Sequence, residues 1–184
     1  MQDDFGVPDR MLGVHPEWFY PALGRVAAVC ALLENRAQAL AEILARLEQG
    51  TLTMKRTADL RGAATAAARL VDSANHPLQV APISAQVDEF YAQLSEIMDR
   101  RNAVIHAIWP AQSGEAQFGW LPGKLASRGE ARTTRDNTQV GLLDLIGKAV
   151  TLVDQAGDLI SLTSFAVSRA LEAGYRGVPP APKS

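Results

Sequence analysis

The sequence contains few of the residues that most often carry covalent or metal chemistry. Its 184 residues include one cysteine, Cys30, and three histidines. A single cysteine excludes a disulfide within the chain, and at its place on an apolar helical seam we expect a small buried hydrophobe. The histidines are scattered without ligand spacing to acidic residues, and no nucleophile elbow is present. We therefore expect no metal, no cofactor, and neither a metal-dependent nor a serine or cysteine hydrolase.

Long apolar runs and an excess of positive charge are also missing. No stretch approaches the roughly 20 apolar residues that cross a bilayer, and the acidic start, MQDDFG, is unlike a secretory signal. Hydrophobic residues make up 47% of the chain, enough to bury one sizeable core. The net charge of −2 argues against bulk, sequence-independent nucleic-acid binding. We therefore expect a soluble cytoplasmic protein that does not bind a membrane, with any nucleic-acid contact confined to a local site.

Four stretches have the apolar spacing of helices, each bounded by residues that start or stop a helix. The predicted helices are 16–48 with Gly50 as the stop, 53 or 57 to 74, 84 to just before Pro110, and 138–173 with Gly174 as the stop. Together they predict an all-α, up-and-down four-helix bundle over residues 16–173. Residues 1–15 are predicted to form an N-terminal arm, and 174–184 a disordered tail.

The apolar seams of the first and fourth predicted helices indicate how they pack. Steps of three and four residues give the first helix a heptad period, which favours packing at roughly 20° to its neighbours. The fourth helix has two adjacent seams, one through Leu143 and one through Leu142, so we expect it to be central or half of a subunit interface. We expect Leu40 and Leu143 to be buried, so aspartate at either should severely destabilise the fold.

Residues 111–137, between the third and fourth predicted helices, are rich in glycine, proline and polar residues. Leu121–Lys124 has the proline and glycine of a type II turn, so we expect an irregular or hairpin-bearing insertion. Four basic residues lie here with few acids. We interpret Arg132 and Arg135 as secondary candidates for contacts with an RNA backbone, with a solvated charged loop as the alternative.

The stretch Met98–Trp109, MDRRNAVIHAIW, is the most informative about function. On an ideal helix Asn102 and His106 share a polar side, whereas Arg101 falls among apolar residues. A guanidinium there needs an anion to offset its desolvation. The anion is either a phosphate brought by a ligand or a carboxylate from another helix, such as Glu34, Glu42 or Asp154.

The pattern Arg101-Asn-x-x-x-His106, late in the third of four long helices, resembles the R-x4-6-H signature of HEPN domains. The architecture is similar over residues 16–173, whereas the specific motif is only these few residues. Many HEPN proteins are metal-independent endoribonucleases of toxin–antitoxin, phage-defence and RNA-processing systems, and they dimerise to bring two motifs together. The resemblance implies that Arg101, Asn102 and His106 are catalytic, that the chain forms a homodimer acting on RNA, and that an antitoxin protein is a further partner.

One position departs from a branch of this family. HEPN toxins paired with a minimal nucleotidyltransferase antitoxin carry a modified tyrosine two residues after the histidine, and Ile108 stands there. The resemblance therefore does not imply that particular pairing.

The chemistry of the motif fits RNA cleavage without a metal. That reaction needs a base for the 2′-hydroxyl, an acid for the leaving 5′-oxygen, and a cation for the charge on phosphorus. Histidine, with an unperturbed pKa of about 6.5, can serve as either base or acid. Because each chain has one candidate histidine, the second would come from a symmetry mate. The alternative is a non-catalytic HEPN-like binding module, in which Arg101 is paired with a carboxylate and His106 is merely hydrogen-bonded.

Overall fold

The computed structural model describes residues 15–46, 57–76, 80–106 and 139–176. Within these ranges the chain forms α-helices and no strand. The helices are α1 (Phe19–Ala45), α2 (Thr57–Asn75), α3 (Ser84–Ile105) and α4 (Gln139–Glu172). The prediction of an all-α helical bundle is confirmed for this part of the chain. The arm, the hairpin-bearing insertion and the tail after residue 176 lie outside the described residues.

Helix α4 ends where the sequence predicts, and α1 ends earlier. Gly174 adopts a left-handed φ of 99°, and the amide of Tyr175 donates to the carbonyl of Ala170 at 2.9 Å, which is a glycine C-cap. Helix α1 ends at Ala45 because Arg46 takes φ 57° and its amide donates to Ile43 O. The predicted continuation of α1 through Arg46 was therefore wrong, whereas the predicted end of α3, just before Pro110, lies outside the described residues.

The chain divides into two compact units, the first made of Met1–Cys30 and Ile97–Val150. In this unit the start of α1, the end of α3 and the start of α4 contribute buried apolar side chains. Arg100 on α3 donates to Asp144 on α4 at 3.1 Å, at the edge of this small core. The buried apolar residues of the unit include Phe19, Val26, Cys30, Ile97, Met98, Val104, Leu142 and Leu145.

The second unit, Ala31–Glu96 with Thr151–Ser184, contains parts of all four helices packed as a bundle. Buried side chains donate hydrogen bonds across it to helix carbonyls: Tyr91 Oη to Ala37 O at 2.7 Å, and Asn75 Nδ2 to Ala166 O at 2.8 Å. The carboxylate of Asp72 accepts from the amides of Ile83 and Ser84, at 2.7 and 3.0 Å, and so caps the start of α3. These bonds satisfy polar groups that burial would otherwise leave unpaired.

The burial of α1 confirms its predicted heptad seam. Val26, Leu33, Leu40 and Leu44 are each at most 1% exposed, and Cys30 is buried beside them. Because these side chains recur every three or four residues, they keep one face of the helix against the core. None of the described helices combines the length with the apolar character needed to cross a bilayer.

The two α4 seams are buried to different extents. Leu142, Leu145, Ala149 and Leu152 are at most 2% exposed, whereas Leu143 is 49% exposed. The expectation that Leu143 is buried was therefore wrong. Both seams are apolar, and along the first half of α4 the fold buries the one through Leu142 more completely than the other, which is called the outward seam below. Its most exposed members are Val140, Leu143 and Val150.

Candidate functional site

The three motif residues lie at the C-terminal end of α3, in the first unit. Arg101 and Asn102 lie near the C-terminal end of α3, and His106 is the first residue after this helix. The His106 amide still donates to Asn102 O at 3.1 Å, so its backbone remains tied to the helix end. Asn102 and His106 are exposed and Arg101 is half-buried, which matches the polar and apolar sides expected for them.

The guanidinium of Arg101 is held by its neighbour in sequence. Its Nη1 donates to Asn102 Oδ1 at 2.9 Å, in an exposed position. Its Nε is buried and has no acceptor among the described residues. An unsatisfied buried donor of this kind costs about 1–3 kcal/mol. The side chain is therefore partly desolvated and oriented, yet incompletely paired, which is where an added anion is most favourable.

The structural ion pair of this region is made by the adjacent arginine instead. Arg100 Nη1 lies 3.1 Å from Asp144 Oδ2, and Lys148 Nζ lies 3.2 Å from the same oxygen. The hydrogen bonds from Arg100 and then Lys148 hold the pKa of Asp144 below its usual value. This network was not predicted from the sequence, although Asp144 and Lys148 have the i,i+4 spacing of a helical ion pair.

No carboxylate of the described residues forms an ion pair with Arg101. Of the partners considered from sequence, Glu42 is buried and accepts from Gln38 Nε2 at 3.0 Å, while Asp154 is exposed. The interpretation of Arg101 as half of a buried structural pair therefore has no support in the part of the chain that the structure covers. The alternative source of an anion, a ligand phosphate, stays open.

The imidazole of His106 is exposed to solvent at the helix end. Among the described residues no side chain hydrogen-bonds to either of its nitrogens, so nothing there selects a tautomer or fixes the ring. In chemical terms, the helix end presents one oriented guanidinium, one amide and one freely accessible imidazole. These groups can bind a phosphate and exchange a proton.

The other two histidines have different surroundings. His15 precedes α1 and stacks on Phe19, with ring centroids 4.5 Å apart and an interplanar angle of 22°. His76 follows α2, as His106 follows α3, and is also exposed. It borders a cavity of about 510 Å³ with Asp72, Ser73, Val80 and Pro82. Both lie outside the helices, as the sequence predicts.

The structure does not describe the two residues that the sequence predicts to contact an RNA backbone. Arg132 and Arg135 fall outside the described residues, as does the whole insertion that contains them. Within the described ranges, no three or more histidine, cysteine, aspartate or glutamate side chains are grouped so that they could hold a metal ion.

Comparisons of the chain with protein-family models, with curated proteins and with solved structures found no match. The resemblance to HEPN domains therefore depends on residues of this chain alone: the Arg101-Asn-x-x-x-His106 motif and its place late in the third helix of a helical bundle.

Proposed function

We propose that this protein is a metal-independent endoribonuclease of HEPN type, in which a homodimer joins Arg101, Asn102 and His106 of both protomers in one cleft. One observation carries the proposal. The guanidinium of Arg101 is oriented by Asn102, partly desolvated, and without a carboxylate partner among the described residues. An oriented guanidinium without a carboxylate partner can bind the phosphate of a diester, because its charge is not already neutralised by a structural ion pair.

The proposed reaction uses the RNA itself as nucleophile. His106 of one protomer removes the 2′-hydroxyl proton, and the resulting oxygen attacks the adjacent phosphorus. The bond from phosphorus to the 5′-oxygen breaks, and the His106 of the second protomer protonates that oxygen. Arg101 holds the phosphate as charge builds on its oxygens, and Asn102 keeps Arg101 in place. The products are a 2′,3′-cyclic phosphate and a free 5′-hydroxyl.

The outward seam of α4 supports the dimer. Within the first unit Val140, Leu143 and Val150 are 75%, 49% and 43% exposed, and they follow one another at helical spacing. Apolar side chains aligned on a solvent-facing helix are typical of a surface that packs against a second copy. The same dimer supplies the second histidine, without which the proposed site lacks an acid.

The remaining parts of the proposal concern biology. We place the protein in the cytoplasm as a toxin or phage-defence effector, with RNA as substrate and an antitoxin protein as partner. Arg132 and Arg135 are proposed to contact the RNA backbone through their charge.

The test is cleavage of an unstructured RNA by purified protein in excess chelator. We expect products ending in 2′,3′-cyclic phosphate, and loss of cleavage in Arg101→Ala and in the charge-preserving Arg101→Lys, because lysine lacks the planar fork. Light scattering on the same sample should give a dimer mass. Intact RNA, or cleavage that depends on added metal, would contradict the proposal.

A non-catalytic binding module is the second candidate. It is favoured by the exposed imidazole of His106, which no side chain of the described residues orients, since catalytic histidines are commonly held by a hydrogen bond to the second ring nitrogen. In that case wild type leaves RNA intact but binds it, Arg101→Ala weakens binding, and His106→Ala has little effect.

A further inference from the structure

A groove in the second unit lies between the first half of α3 and the second half of α4. It encloses about 680 Å³ and runs from Ala85 to Gln93 on α3 and from Gln155 to Leu162 on α4. At 1.5 Å per residue, the α3 wall is roughly 12 Å long, or about two helical turns. The groove therefore matches the contact length of a short helical segment.

The floor and the rim of the groove differ in character. Phe90 and Leu159 form an almost fully buried floor, and Leu162 at its edge is 36% exposed. One turn further along α4, Phe165 is 57% exposed. Large apolar side chains grouped at an open groove are uncommon on a surface without a partner.

The rim is acidic. Glu89 lies on the α3 side and Asp158 on the α4 side, both exposed, and the described residues of the lining include no lysine, arginine or histidine. Gln93 Nε2 donates to one oxygen of Glu89 at 2.7 Å and leaves the other carboxylate oxygen available. Outside the lining, Arg61 forms a bidentate pair with Asp88, with both contacts at 2.9 Å, and lies near enough to Glu89 to interact with it electrostatically. The negative charge of the rim is therefore not matched within the lining.

We propose that this groove binds a basic amphipathic helix of a partner protein. An apolar face with residues at i, i+3 and i+7 would lie on Phe90, Leu159 and Leu162. Lysine or arginine on the flanks of that helix would meet Glu89 and Asp158. Charge complementarity decides the occupant, because the acidic rim repels nucleic acid and favours cationic side chains. The proposal is independent of the ribonuclease proposal, since it uses no residue of the Arg101 motif.

The experiment measures binding of two synthetic peptides by fluorescence anisotropy to the full chain. One peptide of about 14 residues, long enough for three helical turns, carries leucines at i, i+3 and i+7 with lysines on both flanks. The control peptide has glutamate in place of each lysine. We expect saturable binding of the lysine peptide, weakened by added salt, and no binding of the glutamate peptide.

Matched variants localise the binding. Glu89→Lys with Asp158→Lys should weaken the lysine peptide by about tenfold or more and allow the glutamate peptide to bind. The control variant, Glu17→Lys with Glu172→Lys, makes the same change of net charge at two exposed positions outside the groove lining. It should leave the affinity within about twofold of wild type. All four positions are exposed, so circular dichroism should show unchanged folding.

Four results would overturn the proposal. The first is equal affinity for the two peptides, and the second is a lysine peptide that does not bind. The third is a lysine peptide that binds the Glu89 and Asp158 double variant as tightly as wild type. The fourth is a change in oligomeric mass in that double variant, which would assign the groove to a second copy of the chain.

Discussion

Leu142 and Leu143 are adjacent on α4, yet the structure buries the first and exposes the second, at 1% and 49% exposure. The same substitution at the two positions therefore gives a sharp test of the fold. Leu142→Asp removes a buried leucine, about 1.5–3 kcal/mol of apolar burial, and leaves a carboxylate without a partner in the core, about 3 kcal/mol more. The total, roughly 5 kcal/mol, is comparable with the whole stability of many domains.

Leu143→Asp should behave differently. The side chain already reaches solvent, so we expect the free energy of unfolding of the monomer to fall by less than about 1 kcal/mol. In the proposed dimer, however, the new charge faces the partner, so the dimer should dissociate.

Urea unfolding followed by circular dichroism, at a protein concentration low enough to favour monomers, measures the first effect. Light scattering at higher concentration measures the second. If Leu143→Asp unfolds the monomer as readily as Leu142→Asp does, the assigned orientation of α4 is wrong. If it stays folded and dimeric, the outward seam is not the subunit interface.

The remaining predictions concern hydrogen bonds of the second unit. Burial raises the pKa of Tyr91 above its ordinary value of 10.0. Stability from the neutral phenol is therefore complete below about pH 10 and lost as pH rises further, at up to about 1.4 kcal/mol per pH unit. In urea titrations at about pH 9 and about pH 11, Tyr91→Phe should lose less stability between the two than wild type, and an equal loss would contradict this assignment. Asp72→Ala should lower the free energy of unfolding by about 1 kcal/mol, because it removes the cap of α3. Exposed Ser73→Ala should change it little, and equal effects would show that Asp72 does not cap α3.

The fold was largely predictable because its signals are local. The heptad seam of α1 gave the buried face through Val26, Leu33 and Leu40, and Gly174 marked the end of α4. These features depend on spacing and on the conformational freedom of single residues, which a sequence displays directly. The early end of α1 at Arg46 was not predictable in this way, because a left-handed arginine has no local signature.

The features that were missed depend on neighbours distant in sequence. Both seams of α4 are apolar, and only the surrounding helices decide that Leu142 is buried and Leu143 is not. From the sequence, either Arg100 or Arg101 could form an ion pair with a carboxylate. In the structure it is Arg100 that pairs with Asp144. The acidic groove could not be predicted from the sequence, because Glu89 and Asp158 lie far apart in the chain. Each has the pattern of an ordinary solvent-exposed residue of its helix.

The most direct test of the proposed ribonuclease compares the rates of RNA cleavage by two histidine variants in excess chelator. His106→Ala and His76→Ala remove the same group from equivalent places, since each histidine is exposed and directly follows a helix. We expect His106→Ala to lower the rate by about 10²–10⁴-fold through loss of proton transfer, with unchanged circular dichroism, and His76→Ala to cleave as wild type does. Equal rates for the two variants would contradict the assignment of His106 as the catalytic acid and base, and products without a 2′,3′-cyclic phosphate would contradict the proposed reaction.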